Sequence, residues 1–591
     1  MGREVASARQ SQLVTTYGVG ALFPSAEQSF MICGADEWDD RRARVIEEPR
    51  LARSLGVFSF RSPPAGGRRG DVPVVRFPLV HYCPECRRIG YPQAFNTTTD
   101  RMRCDRDERG LTPSRFVACC EDGHIQDFPY FSWLHRIPGA TVGEAGDANH
   151  VLSITTRGQS SSLGDIVISC ACGVQPVSMA GAFSRSALVE VSGCRGRRPW
   201  LDGAEDQDCS KPLRTLQRGS SNVWFPIVRS TISIPPWTGG AARFVEKHWA
   251  VLKGVDGAAL EGVVRAAVAA DAHVSEDSVL SLVQRRKGVE AGQPPTDAEL
   301  RQEEYDALCD SNRPSPEGYD DFVSVERDIA SEVSEVVAQV MEVSRLREVR
   351  ALDGFTRVVP PAGASDPRKA ALSAMALSWL PAVEVLGEGV FVRFHPAVVA
   401  EWERSSLAQS RARLMTEAQE RRDRVMERPA SPPVAPRLVA LHTVAHLLLK
   451  ELSLDAGYPI ASLRERVYAD GGQCGVLVYT ASSDAAGSLG GLAALASGRR
   501  LGGALTRAVR RATWCSSDPV CAESGVSGLD GLNLAACHAC TLLPEPSCEH
   551  QNQFLDRVSV VGKLGNPDVG MLGELLGSER FASEAGDADK S

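Results

Sequence analysis

Between about residue 241 and residue 428, apolar residues recur every three or four positions among mixed charges. The stretches "FVEKHWAVLKGV", "LEGVVRAAVAA", "VERDIASEVSEVVAQVMEVSRLREVRAL" and "EWERSSLAQSRARLMTEAQERRDRVMER" carry this period and predict helices. A polar break, "RRKGVEAGQPPTDAE", interrupts them and predicts a mobile loop. Upstream, residues 1–240 lack any sustained helical period. Short runs such as "VPVVRFPLV", "HVLSITT", "DIVIS" and "ALVEVSG" lie between turn residues and predict strands. Downstream, "PASPPVAPR" (429–437) cannot continue a helix and predicts a boundary. Beyond it come a strongly apolar helix, "LVALHTVAHLLLKEL", a strand, "GVLVYTAS", a glycine-rich loop, "DAAGSLGG", and a further helix, "LAALASGRRLGGALTRAVRRA". The pattern gives an α+β multidomain chain: a β-rich region (1–240), a helical region (241–430), an α/β domain (437–577) and a polar, disordered tail (578–591).

Composition fits that division. With 591 residues the chain exceeds what one core serves, and 43% hydrophobic content is enough for several. No run of about 18 apolar residues occurs and no apolar leader core opens the chain, so a soluble, cytoplasmic protein is expected. A net charge of −9 means that any nucleic-acid contact must come from a local basic face.

Cysteine changes the picture. Of 17 cysteines, fourteen fall in three groups: Cys83, Cys86, Cys104, Cys119 and Cys120; Cys170, Cys172, Cys194 and Cys209; Cys515, Cys521, Cys537, Cys540 and Cys548. In a reducing compartment such clusters point to metal rather than disulfides. Two thiolates on one tight turn supply half of a tetrahedral zinc shell at little ordering cost. Cys83 with Cys86, and Cys537 with Cys540, have the two-residue spacing of such turns, whereas Cys170 and Cys172 are closer. Cys104 and either Cys119 or Cys120 can complete the first site, with His124 as a substitute. In the third, Cys548 joins the pair, with Cys521 or Cys515 as fourth ligand. Four thiolates close a metal to substrate, so about three structural Zn²⁺ sites are expected. A redox pair lacks the thioredoxin-like context here, and an iron–sulfur cluster would need the same four sulfurs.

Other features are weaker. His442 and His446 share a helix face, but Thr443 stands where a metalloprotease needs glutamate, so they read as core histidines holding helix to strand. A metal-dependent hydrolase using His442, His446 and Asp484 is the rival reading. The loop with Gly487, Gly490 and Gly491 precedes a helix, where an anion can sit, but lacks the P-loop lysine. Arg507, Arg510 and Arg511, with no acid in their own segment, are candidates for phosphate contact, as are Arg197 and Arg198 beside a stackable Trp200. No Walker, nucleophile-elbow or methyltransferase motif occurs, which argues against a free-standing enzyme.

Seven phrases in order, "SQLVTTYGVGAL", "RFVACCEDGHIQDFPYFSW", "RGSSNVWFP", "SIPPW", "LHTVAHLLLKEL", "YTASSDAAGSLGGL" and "NLAACHAC…SCEHQNQFLDR", resemble the DrmB family of the bacterial DISARM anti-phage system. The C-terminal domain is similar to the zinc-binding domain appended to MrfA-type helicases. The resemblance implies a non-catalytic subunit that partners a helicase-like ATPase (DrmA-like) and helps recognise foreign DNA; a scaffold without DNA contact is the alternative. It also implies metal sets of Cys83, Cys86, Cys104 and Cys120; Cys170, Cys172, Cys194 and Cys209; and Cys521, Cys537, Cys540 and Cys548. Cys119 is surplus to that pattern, and Pro546 stands where threonine is expected.

Overall fold

The computed structural model describes residues 4–577 except 26–27, 67–70, 100, 137–149, 159–161, 238, 270–273, 292, 312–320, 364–365, 427, 481–489, 524, 529–530 and 564–568. The expected tail, Gly487 and Asp484 lie outside the described residues. Helices and strands are mixed throughout, and the chain forms two compact units, each assembled from separate segments. One contains residues 1–47, 55–230 and 350–383; the other contains 48–54, 231–349 and 384–591. This differs from the expected division at 240 and 430. Two long strands, β1 (Val337–Thr356) and β2 (Trp379–Phe394), carry the chain from one unit into the other and back. The proline segment 429–437 joins two helices of a single unit.

Among the described residues, the first unit contains four small three-stranded sheets. The predicted strands at Val74–Arg76, Leu152–Thr156 and Ile166–Cys170 form, but "ALVEVSG" is a series of turns. The strand Phe116–Cys119 sits centrally between Ile125–Asp127 and Arg214–Gln217. Side chains alternate along a strand, so its two faces serve two cores. Val117 and Cys119 pack with Val14, Met31, Trp200 and Phe355. Phe116, Ala118 and Cys120 pack with Phe128, Trp133 and Ile168. Arg357, fully buried, donates to the carbonyls of Gly123 (2.8 Å), Val223 (2.6 Å) and Gly20 (2.8 Å). Those bonds satisfy three loop carbonyls and pin the Cys120–His124 turn.

In the second unit the predicted helices Gly239–Leu252 and Gly257–Val268 form and pack with Glu276–Ala291 through Phe244, Leu260, Val264 and Val283. The expected polar break is therefore shorter than predicted, because "RRKGVEA" extends a helix. A capping box of Thr296 and Glu299 starts the next one, Asp297–Cys309. The long predicted helix around Val325–Leu352 is overturned: it forms the strand Val323–Arg327 and then β1. Val337 and Val340 pack into one core while Met341, Val343 and Leu346 pack into another. A strand buried on both faces loses its alternation, and its valines favour extended backbone.

Helix α1 (Pro436–Ala456) is buried along most of its length. It begins with proline at its first turn and ends at Gly457, whose φ of 72° suits a left-handed cap. Strands β3 (Leu463–Tyr468) and β4 (Gly475–Thr480) pair antiparallel, with Glu465 opposite Val478, and β4 pairs with β2. Helix α2 (Gly498–Ala512) covers the same core. A Cβ on Gly498 would lie 2.7 Å from the Asp328 carbonyl oxygen, so glycine permits this close approach.

Candidate metal centres

The sulfurs do not sort into the three expected sets. Among the described residues they sort into five clusters of four donors, in each of which the donor atoms lie within 4.8 Å of one another. The cysteines are free thiols, and Cys515 Sγ and Cys537 Sγ, 3.5 Å apart, are far beyond the roughly 2.05 Å of a disulfide.

The first cluster is Cys83, Cys86, Cys104 and Asp107. Two turns of the same design face each other. Cys83 accepts from Arg87 N and donates to Arg88 O; Cys104 accepts from Glu108 N and donates to Arg109 O. Arg87 and Glu108 both take the left-handed backbone that closes such a turn. "CPECRR" and "CDRDER" are thus the same motif with Asp107 in place of the fourth cysteine. Cys120, expected here, is elsewhere. Arg88 donates to Cys86 Sγ (3.4 Å) and Cys104 Sγ (3.2 Å); against burial, the Arg106 and Asp107 backbone and Arg88 together lower the Cys104 thiol. Burial pushes the Cys83 thiol up to about 11.

Cys120 instead joins His124, Cys194 and Cys209. The turn "CCEDGH" brings Cys120 and His124 Nδ1 to 3.3 Å, with Gly123 at φ 82°. His124 Nε2 donates to Gln207 Oε1 (2.7 Å), which leaves Nδ1 as the lone pair facing the sulfurs. Gly196 admits no side chain, because a Cβ would lie 1.7 Å from the Gln207 carbonyl oxygen. The hydrogen bond from Cys120, helped by His124 and opposed by burial, holds the Cys194 thiol down at about 4. Cys119 points to the opposite core and burial raises its thiol to about 12. Its surplus status has a simple cause: adjacent strand residues face opposite ways.

Cys170 and Cys172 pair with two histidines that sequence reading did not single out, His135 and His150. His135 donates through Nδ1 to Phe131 O (2.9 Å), turning Nε2 toward Cys172 Sγ (3.4 Å). That contact lowers the exposed Cys172 thiol to about 7. Cys170 Sγ lies 3.6 Å from His150 Nδ1.

The fourth cluster is Cys515, Cys521, Cys537 and Cys540, so both candidates for the last ligand take part. Cys515 and Cys537 are 3.5 Å apart, Cys521 and Cys540 3.7 Å. Burial opposes ionisation of Cys537, but the Cys540 backbone and Cys515 hydrogen bonds bring its thiol to about 7. Cys548 is not part of this set. It lies 3.2 Å from His442 Nε2, in a fifth cluster with His446 and Glu465.

Donor chemistry tests the fit to a metal. Sulfur and imidazole suit zinc, and a carboxylate is an accepted fourth donor. Four donors from protein leave no open position in these sets, as structural zinc requires.

Comparison with known proteins agrees. Residues 9–225 match a domain of unknown function, DUF8724, and residues 444–541 match the MrfA Zn-binding domain. A DISARM protein DrmB of Bacillus paralicheniformis is 29% identical over 574 residues, 91% of this chain and 97% of that protein. The chain is thus similar to DrmB along nearly its whole length. The matched MrfA Zn-binding segment contains all four sulfurs of the Cys515–Cys540 cluster.

The arginine faces look different from their sequence. Arg507 pairs with Glu451 (3.2 Å) and Asp455 (2.5 Å), and Arg511 with Glu451 (3.1 Å). The acids come from α1, invisible to a reading of the α2 segment alone. Arg510 also has a partner. Arg197 lies 3.5 Å from Asp206, and Arg198 donates to Glu205 O. Trp200, read as stackable, is fully buried and donates to Ala371 O. An exposed aromatic, Trp514 at 69%, lies just past α2. Among the described residues no helix is long and apolar enough to cross a membrane.

Proposed function

We propose that the chain is a zinc-stabilised, non-catalytic subunit of a DISARM-type anti-phage assembly, acting beside a helicase-like ATPase and helping to hold foreign DNA. The carrying observation is the similarity to DrmB along nearly the whole chain, with an MrfA Zn-binding domain in place. Metal held by closed donor sets supports a structural role for zinc rather than a hydrolytic one. His442 and His446, the core of the rival hydrolase reading, are fully buried, where no substrate reaches them. For DNA, the exposed side of α2 supports contact: Arg499 and Arg510 lie eleven positions apart, on one side of the helix, and Trp514 follows one turn later. Arginine for phosphate and tryptophan for an unpaired base is a combination that binds single strands.

Expression of the native operon with a tag on this chain tests the partner. A helicase-like ATPase should co-purify through high-salt washing; a chain recovered alone overturns the partnership. Arg499→Glu with Arg510→Glu should weaken DNA binding of the complex and reduce the steepness of its salt dependence. An unchanged salt slope places the DNA elsewhere.

A further inference from the structure

We propose that His442, His446, Glu465 and Cys548 form a metal site of their own, holding a zinc-class divalent ion in a closed set of two nitrogens, one oxygen and one sulfur. It is separate from the tetracysteine cluster, shares no ligand with it, and has half its donors outside the MrfA Zn-binding match.

The four side chains come from three elements. His442 and His446 are one turn apart on α1, so both imidazoles project from one face. Along β3, alternation sends Leu463, Glu465 and Val467 toward the core that contains α1, while Arg466 and Tyr468 face the other way. Cys548 arrives from the segment after the tetracysteine cluster. The histidines are 0% exposed, Glu465 1% and Cys548 5%.

Hydrogen bonding leaves this arrangement incomplete by itself. His446 Nδ1 lies 3.0 Å from Thr541 O, and a carbonyl only accepts, so Nδ1 carries the proton. The lone pair on Nε2 then points at Glu465 Oε1, 3.3 Å away, another electron-rich atom. His442 Nε2 lies 2.9 Å from the same Oε1 and 3.2 Å from Cys548 Sγ. Glu465 Oε2 is buried without a hydrogen-bond partner among the described residues, as is His442 Nδ1. A buried carboxylate oxygen without a donor is costly. A cation at the centre of these donors resolves the crowding. The separations of 2.9, 3.2 and 3.3 Å lie within about 0.5 Å of the edges, roughly 3.3–3.6 Å, of a tetrahedron with metal–nitrogen bonds of about 2.0–2.1 Å and a metal–sulfur bond of about 2.3 Å. One carboxylate and one thiolate also neutralise a divalent ion, so the buried site carries no net charge.

Catalysis by a cysteine–histidine–carboxylate triad is a poorer account. In a triad the carboxylate and the thiol engage opposite ring nitrogens, whereas here both crowd Nε2 of His442. The site's effect is architectural. Thr541, which holds His446, directly follows Cys540, so the fifth site orients one end of the fourth.

Cadmium loading of the full chain, followed by ¹¹³Cd NMR, tests the assignment. The wild-type spectrum should contain a signal well upfield of the sulfur-rich sites, as one thiolate requires, and Cys548→Ala should abolish it while the tetrathiolate signal remains. Elemental analysis of zinc-loaded Cys548→Ala should find about one ion per chain fewer than wild type. A wild-type spectrum with sulfur-rich signals alone overturns the proposal, even if the variant fails to fold. An unchanged metal count in a folded variant overturns it too, leaving a hydrogen-bonded cluster without metal.

Discussion

The Cys83–Cys104 cluster of the first unit and the clusters of the C-terminal domain are made of similar donors but sit in opposite surroundings. Around Cys83, Cys86 and Cys104 the local core is Phe95, Met102, Leu111 and the cysteines themselves. Neighbouring strands are two residues long. Around His442 and His446 lies the largest core among the described residues, to which α1, α2, β3 and β4 contribute. A module with so little apolar surface to bury cannot offset its chain entropy without a further tie. The C-terminal core has ample burial of its own. Metal is thus a substitute for a core around Cys83–Cys104 and an addition to one in the C-terminal domain.

Chelation is the strongest way to break that comparison. Structural zinc supplies about 10–16 kcal/mol in small metal-held modules. Removing it from the full chain should open residues 83–113 to protease while α1 keeps its hydrogen-exchange protection. Simultaneous loss in both regions would make the two equivalent.

Arg357 sharpens the comparison at the level of one side chain. Arg357→Met leaves the carbonyls of Gly20, Val223 and Gly123 without their donor and loosens the turn that bears Cys120 and His124. A loss of about 3 kcal/mol in the stability of the first unit is expected, read as a lower denaturant midpoint for that transition alone. A lowered C-terminal transition would show that the units do not melt independently.

Acid gives a smaller effect of known sign. Burial alone would raise the Asp366 carboxyl, but hydrogen bonds from Arg368 and from the Ala362 backbone hold it at about 2. A depressed folded value means stability that is present above pH 4 and lost as pH falls through about 2. Asp366→Asn should therefore cost the first unit about 2 kcal/mol at pH 7 and much less near pH 2. A pH-independent cost would assign the effect to packing instead of charge.

Much of this was legible in local spacing, because it depends on residues within one turn. The Cys83–Cys86 and Cys537–Cys540 pairs, helix α1, strand β4 and the alternation at Ile166–Cys170 all follow from contacts a few positions long. The second half of the first cluster was also readable, as "CDRDER" repeats "CPECRR" with aspartate for cysteine. A surplus sulfur in the third group was the signal that Cys548 belonged elsewhere.

What the sequence alone determined is where pairs of ligands form, since a tight turn or a helix face brings them together before any folding. Which pair meets which was decided only by tertiary structure. Cys120 and Cys209 are brought together by the pairing of the strands beside them, Cys172 and His135 by a hairpin packed on a short helix, and His442 and Glu465 by a helix against a strand. The valine-rich stretch at 337–356 shows the same limit, because its spacing fits a helix until two cores bury both of its faces. Spacing along a chain encodes neighbours within a turn; partners across a core depend on which surfaces are buried together, and that is a property of the whole fold.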